Sequence, residues 1–302
     1  MLLDANTLVH LSRMPALTVL IFALGTTLPD QITPSKLPLI FSNLGKFELS
    51  SEFLYPISSL LSKSQLPAVT DFRVVIESCP IGSEFSSFVA GVQTCCVGQV
   101  IQELSFTERF ILGSTRAPWA SGTMLGSRDL RPWMRFSNLR LLEVDIQWKV
   151  DLMDSELLTL ASAWPRLECL IINDGWGWGT LGGITPNGLL QLLQTCPSLS
   201  RAALAIDTRG YSTLSQSPAF LGWTFPPEFT LHVVDSFIEA ESVPAIAAFF
   251  AGIASRSNFV LRAWARRKMK SPNQNMCRTL WYDVLERIND VGEHSVSSHS
   301  FE

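Results

Sequence analysis

The sequence predicts an α/β fold, a leucine-rich-repeat-like solenoid in which a curved parallel sheet carries helices on its outer face. Three observations lead there. Stretches of the form apolar-x-x-apolar-x-apolar recur along the chain: Leu17/Leu20/Phe22, Leu44/Phe47/Leu49, Val69/Phe72/Val74, Ile101/Leu104/Phe106, Leu139/Leu142/Val144, Leu167/Leu170/Ile172 and Leu199/Ala202/Leu204. Several are preceded by an apolar helix-like stretch closed by a proline two residues ahead of the first anchor. The chain has 302 residues, 47% of them hydrophobic and 10% aromatic, which is enough to bury a sizeable core.

Successive stretches start 27, 25, 32, 38, 28 and 32 residues apart, around the upper part of the spacing of leucine-rich units. The prolines are Pro15 in "LVHLSRMPAL", Pro165 in "LLTLASAWPRL" and Pro197 in "LLQLLQTCPSL". A proline there ends a helix and hands the chain to an extended segment. Each unit therefore reads as strand, loop, helix, turn. One such unit cannot cover its own apolar side, so neighbours stack. A single solenoid over residues 1–290 is expected. An irregular loop rich in Gly, Ser, Pro and Arg at about 113–132 accounts for the 38-residue interval, and a polar disordered tail occupies 291–302.

Composition excludes several classes of function. With 27 acids against 23 bases the formal charge is -4, a poor basis for a general grip on nucleic acid. The six cysteines form no C-x-x-C pair and the four histidines have no matching spacing, so neither a metal site nor a disulfide framework is expected. Free thiols fit an intracellular protein of cytoplasm or nucleus. "ALTVLIFAL" follows Asp4, His10 and Arg13 and reads as a strand rather than the core of a signal peptide. "VPAIAAFFAGIA" is too short to span a bilayer, so no membrane partner is expected.

One motif asks for a nucleotide. Gly177, Gly179 and Gly182 stand in G-x-G-x-x-G spacing after the strand "LECLIIND", and Asp207 closes the next strand where a ribose-binding acid would be sought. The expected helix, however, begins at Thr185 and Pro186, beyond the glycines rather than among them, so its N-terminus stands away from any phosphate. Asp207 comes 25 residues after Gly182, and Trp176 and Trp178 crowd the loop. No other phosphate loop, nucleophile elbow or H-E-x-x-H helix occurs. A nucleotide-dependent enzyme is therefore the alternative reading, and no enzyme and no cofactor the preferred one.

Strand alternation places the residues between buried anchors on the exposed face of the sheet. These include Lys46, Glu48, Asp71, Arg73, Glu77, Glu103, Glu143, Asp145, Arg201 and Asp207, seven acids against three bases. Such a face suits a basic protein patch, the alternative being that these residues are merely solvated. Trp148, Trp176, Trp178 and Trp223 fall in loops, where an aromatic side chain can anchor a partner, although tryptophans in the turns of a solenoid more often seal gaps between units. The candidate partner-binding residues are Glu103, Glu143, Asp145, Trp148, Asp174, Trp176, Trp178 and Asp207. The basic run "RAWARRKMK", with Trp264, reads as a solvated closing segment.

"WPRLECLIINDGWGW" followed by "ITPNGLLQLLQTCPSLSRAALAID" resembles the leucine-rich region of fungal F-box-like proteins. The match rests on Asp174, Trp176, Thr185, Gly188, Leu189, Cys196, Pro197, Leu199 and Asp207. "FTLHVVDSFIEAESVPAIAAFFAGI" resembles that family's final strand and closing helix, and "LRAW" and "LWYDVLERI" its Trp-bearing end, here Trp264 and Trp281. The resemblance covers about Phe136 to Asn289. It implies a protein-interaction module, the target-binding part of a ubiquitin-ligase substrate receptor. The F-box that would dock on a ligase adaptor is not evident, since "MLLDANTLVHLSRMPAL" already reads as the helix and strand of a repeat and no Leu-Pro-x-Glu start occurs.

Overall fold

The computed structural model describes residues 5–25, 38–109, 122–211, 225–263 and 274–291. The chain divides into two compact units. One comprises Met1–Thr123 with Arg128–Gln147, the other Met124–Ser127 with Trp148–Glu302.

In the first unit, helix α1 (Ala5–Ser12) leads to strand β1 (Val19–Leu24), followed by β2 (Lys46–Ser51), α2 (Leu54–Leu61), β3 (Asp71–Ile76), α3 (Gly82–Cys95), β4 (Glu103–Glu108) and β5 (Leu141–Asp145). The strands lie side by side in sequence order, all parallel. Parallel neighbours require a crossover, which α2 and α3 provide for β2 to β3 and β3 to β4. The repeated anchors fall in register: Leu20, Phe47, Phe72, Leu104 and Leu142 form one row, and Phe22, Leu49, Val74, Phe106 and Val144 another. Both rows are buried. Phe47 packs against Phe22 and Phe72 with ring centroids 6.1 and 5.9 Å away, and Phe88 of α3 stacks on Phe106 at 4.9 Å.

Register is set at each strand entrance by a carbonyl that accepts two backbone N–H groups from the next strand. Thr18 O accepts from Gly45 and Lys46, Gly45 O from Thr70 and Asp71, and Thr70 O from Gln102 and Glu103. A slip of one residue would turn every anchor to the wrong face.

The second unit holds α4 (Asp154–Ala161), β6 (Cys169–Ile172), α5 (Pro186–Thr195), β7 (Arg201–Ala203), β8 (Glu228–His232), α6 (Val243–Ala254), β9 (Asn258–Arg262) and α7 (Gln274–Val291). Strands β6 to β9 are again parallel and in sequence order, with Leu170, Ala202, Leu231 and Leu261 in one buried row. The proline turns take the expected form. Leu167 N–H donates to Trp164 O and Leu199 N–H to Cys196 O, both at 3.0 Å, with Pro165 and Pro197 directly after the acceptor residue, where a fixed φ suits the turn. Strands β8 and β9 escape the apolar-x-x-apolar-x-apolar pattern because Pro226 and Arg256 stand where the first anchor would be. Among the described residues, no helix is long and apolar enough to cross a membrane.

The expected loop at 113–132 is corrected in its second half. Residues 113–121 lie outside the described residues, but Met124–Gly126 is a strand paired in parallel with Lys149–Asp151, Ser127–Leu130 is a short helix, and Arg131–Arg135 a 3-10 helix. Leu125, Leu130 and Trp133 are fully buried, and burial of that apolar surface outweighs the loop-like composition around it. Trp223, Trp264, the run from Trp264 to Lys270, and residues 292–302 lie outside the described residues.

Candidate functional site

Two places bring the sequence-predicted residues together, one in each unit. On the first unit's sheet, residues alternate with the buried anchors in three register rows. Val19, Lys46, Asp71, Glu103 and Leu141 form the first; Ile21, Glu48, Arg73, Ser105 and Glu143 the second; Ala23, Ser50, Val75, Thr107 and Asp145 the third. Their charges are paired both along and across strands. Lys46 Nζ lies 3.5 Å from Glu48 and 3.3 Å from Asp71, while Arg73 lies 2.8 Å from Asp71 and 2.7 Å from Glu103. The hydrogen bond from Asp71, then its charge and the bond and charge of Glu103, raise the Arg73 pKa despite the opposing effect of burial.

Beyond Arg73 the pairing stops. Glu143 is half-buried, accepts a hydrogen bond from Ser105 Oγ at 2.7 Å, and ion-pairs with no cation among the described residues. At the C-terminal edge of the strands, Arg109 and Glu77 form a more exposed pair at 3.2 Å. Arg109 and Ser105 were absent from the sequence-derived face, although the alternation through Glu103, Ser105 and Thr107 reaches both. Opposite the acids, β1 presents Ile21, 57% exposed, and Val19, 51% exposed. The face thus runs from an apolar side at β1, through a paired middle, to carboxylates at β5.

In the second unit, the glycine-rich loop folds onto its own chain. Gly177, Gly179 and Gly182 all have positive φ, 78, 63 and 78°. The backbone N–H groups of Trp178 and Gly179 donate to the two oxygens of Asp235, at 2.7 and 3.0 Å. Consecutive N–H groups of this kind form a concavity that binds anions. Here the protein's own carboxylate fills it. The N-terminus of α5 is used in the same way: Thr185 Oγ1 accepts the N–H of Gly188 at 3.1 Å, and Asp154 accepts both the N–H and the hydroxyl of Thr185, at 2.8 and 2.7 Å. Both poles that would attract a phosphate therefore hold internal carboxylates. Gly182 has a packing reason instead: a Cβ there would meet Ala205 O at 3.0 Å, and one on the neighbouring Gly183 would collide with Leu152 O.

The loop tryptophans are buried rather than presented, which favours their sealing the turns over their anchoring a partner. Trp148 is 1%, Trp176 4% and Trp178 0% exposed. Trp178 Nε1 donates to Ile172 O at 2.8 Å, and the carbonyl of Trp148 accepts from Asn173 Nδ2 at 2.7 Å. Large rings gain more from interior burial than a loop position suggests. Asp174 is also buried, and His232 Nδ1 lies 3.1 and 3.2 Å from its two oxygens, so the imidazole donates to the carboxylate. Asp207 is committed to Arg209, which donates through Nε and Nη2 at 2.9 and 2.8 Å. Partial burial pushes the Asp207 carboxyl up, but the bonds and charge of Arg209 prevail and hold it below its ordinary value.

Of the eight candidates, Glu103, Glu143 and Asp145 share the first unit's sheet face, with Asp145 buried. Asp174, Trp148, Trp176, Trp178 and Asp207 belong to the second unit, where the first four are interior. Sequence reasoning missed Asp235 and His232. The histidine was legible as the residue two beyond Thr230 on β8; nothing local marked Asp235, whose donors lie 57 and 56 residues away. Among the described residues, no group of three or more His, Cys, Asp or Glu could hold a metal ion.

No family model matches the chain, and no curated protein matches it. Among solved structures, the chain is similar to one in the crystal structure of the Rad7 and Elc1 complex in yeast. The identity is 11%, over 80% of this chain and 69% of that one, with a TM-score of 0.31.

Proposed function

We propose that this chain is a non-catalytic protein-interaction module built as a leucine-rich-repeat-like solenoid, binding another protein through the strand face of its first unit. The observation that carries this reading is the half-exposed face of β1 to β5, whose charged side chains stand in register and end in a carboxylate, Glu143, that meets no cation among the described residues. A rigid parallel sheet holds such side chains at fixed spacing, which suits recognition by many contacts at once. The six free cysteines, four of them buried, suit a reducing intracellular compartment. The resemblance of residues 136–289 to fungal F-box-like proteins supports a finer proposal, the target-binding part of a ubiquitin-ligase receptor.

The test uses Glu143→Lys and Glu103→Lys in the full chain, with retention of fold checked by thermal melting. Weakened capture of basic protein partners by both variants is expected. Unchanged capture would rule the strand face out. The nucleotide-dependent reading makes the opposite demand, that a nucleotide raise the melting temperature of the wild-type chain and that a bulky residue at Gly179 abolish the rise. The carboxylates of Asp235 and Asp154 at both anion-attracting positions favour no rise.

A further inference from the structure

Resting on the strand-face reading, we infer that the first unit selects an extended polypeptide segment carrying an apolar residue and a Lys or Arg about six positions apart. Two independent features of one register row set this requirement. Ile21 pairs in register with Glu48, Glu48 with Arg73, Arg73 with Ser105 and Ser105 with Glu143. At one end of the row Ile21 is 57% exposed, with Val19 beside it at 51%, a pair of apolar side chains on a strand that bears no charge. At the other end stands Glu143, held among the described residues by a neutral hydroxyl, that of Ser105.

The acids between these ends, in this row and the one beside it, do not compete for a visiting cation. Glu48 and Asp71 are paired with Lys46, and Asp71 and Glu103 with Arg73. A guanidinium or ammonium arriving at Glu143 therefore gains a partner without breaking an existing ion pair, whereas one arriving at Asp71 must displace Arg73. The same signs repel a phosphate backbone, so the occupant is a polypeptide and not a nucleic acid.

Distance fixes the spacing. Four strand-to-strand steps of about 4.8 Å separate β1 from β5, roughly 19 Å. An extended chain advances about 3.3 Å per residue, so about six residues cover the gap, and an even number leaves both side chains on the same face. In a helix the same distance takes about 13 residues at 1.5 Å each, which turns the two side chains away from each other.

The experiment is fluorescence anisotropy of the full chain with synthetic extended peptides. One bears Leu and Arg about six positions apart, a second has them about three apart, and a third has Glu in place of Arg at the longer spacing. The first peptide is expected to bind at least about tenfold more tightly than the others, and to lose that advantage with Ile21→Asp or Glu143→Lys. Glu143→Lys should in turn prefer the peptide carrying Glu. That reversal shows the variant is folded and the contact direct. Equal binding of both spacings that still falls with Glu143→Lys overturns the spacing rule and leaves the strand face standing. Binding insensitive to both variants, or none at all, overturns both.

Discussion

Asp235 caps the glycine-rich loop of the second unit, its carboxylate accepting the backbone N–H of Trp178 at 2.7 Å and that of the adjacent Gly179 at 3.0 Å. Asp235 and Trp178 are both buried, so this charge has left water and is compensated by the two amides it faces. The loop is thereby tied to the residues just after β8, far along the sequence.

Asp235→Ala should therefore lower stability by about 2–3 kcal/mol, the range of charge-assisted hydrogen bonds whose loss leaves buried donors unpaired. Chemical denaturation of the full chain measures it. A change under about 0.5 kcal/mol would mean that the loop holds its shape without Asp235.

Gly183→Ala should destabilise the second unit severely, because the new methyl group collides with the backbone carbonyl of Leu152, which has no rotamer to move to. Gly122→Ala serves as the contrast. Its Cβ would meet nothing within 4 Å, leaving only the cost of a φ of +65°. Comparing melting temperatures of the two variants separates collision from backbone strain; equal losses would contradict the close packing at Gly183.

The start of α5 offers a smaller effect of predictable size. Thr185→Ala removes the hydroxyl that accepts from Gly188 N–H and donates to Asp154, and should cost about 1 kcal/mol. Thr185→Ser, which keeps the hydroxyl, should recover most of it. Failure of serine to do so would place the effect in the lost methyl group instead.

Stability should also fall in alkali. Burial pushes the Cys196 thiol up to about 11 from its ordinary value of 9.0, because the thiolate is disfavoured in the interior. The folded state keeps this proton at pH values where the unfolded chain has released it. The contribution is thus fully present below about pH 9 and is lost as pH rises towards 11. The melting temperature of the wild-type chain should fall across that interval, and Cys196→Ala should flatten the fall. An equally steep fall in the variant would assign it to other groups.

Strands β1 to β7 were legible from local pattern, since anchors such as Leu20, Phe47, Phe72, Leu104 and Leu142 recur at spacings that suit a parallel sheet, whereas β8 and β9 lack the first anchor. Proline turns and the Thr185 cap were legible for the same reason: they depend on neighbours within a few residues. Alternation likewise named Glu103 and Glu143 as residues of the open face. Tertiary structure decided everything that depends on distant partners. Whether Trp148 and Trp178 would be anchors or core turned on what packs over their loops. Whether Gly177, Gly179 and Gly182 would cradle a phosphate turned on Asp235, more than fifty residues away along the chain. Which acids would be spent turned on Lys46 and Arg73 reaching across strands. Periodicity encodes which face a residue takes, because that follows from backbone geometry; it does not encode which charge or ring meets it there, because that follows from chain segments brought together only by folding.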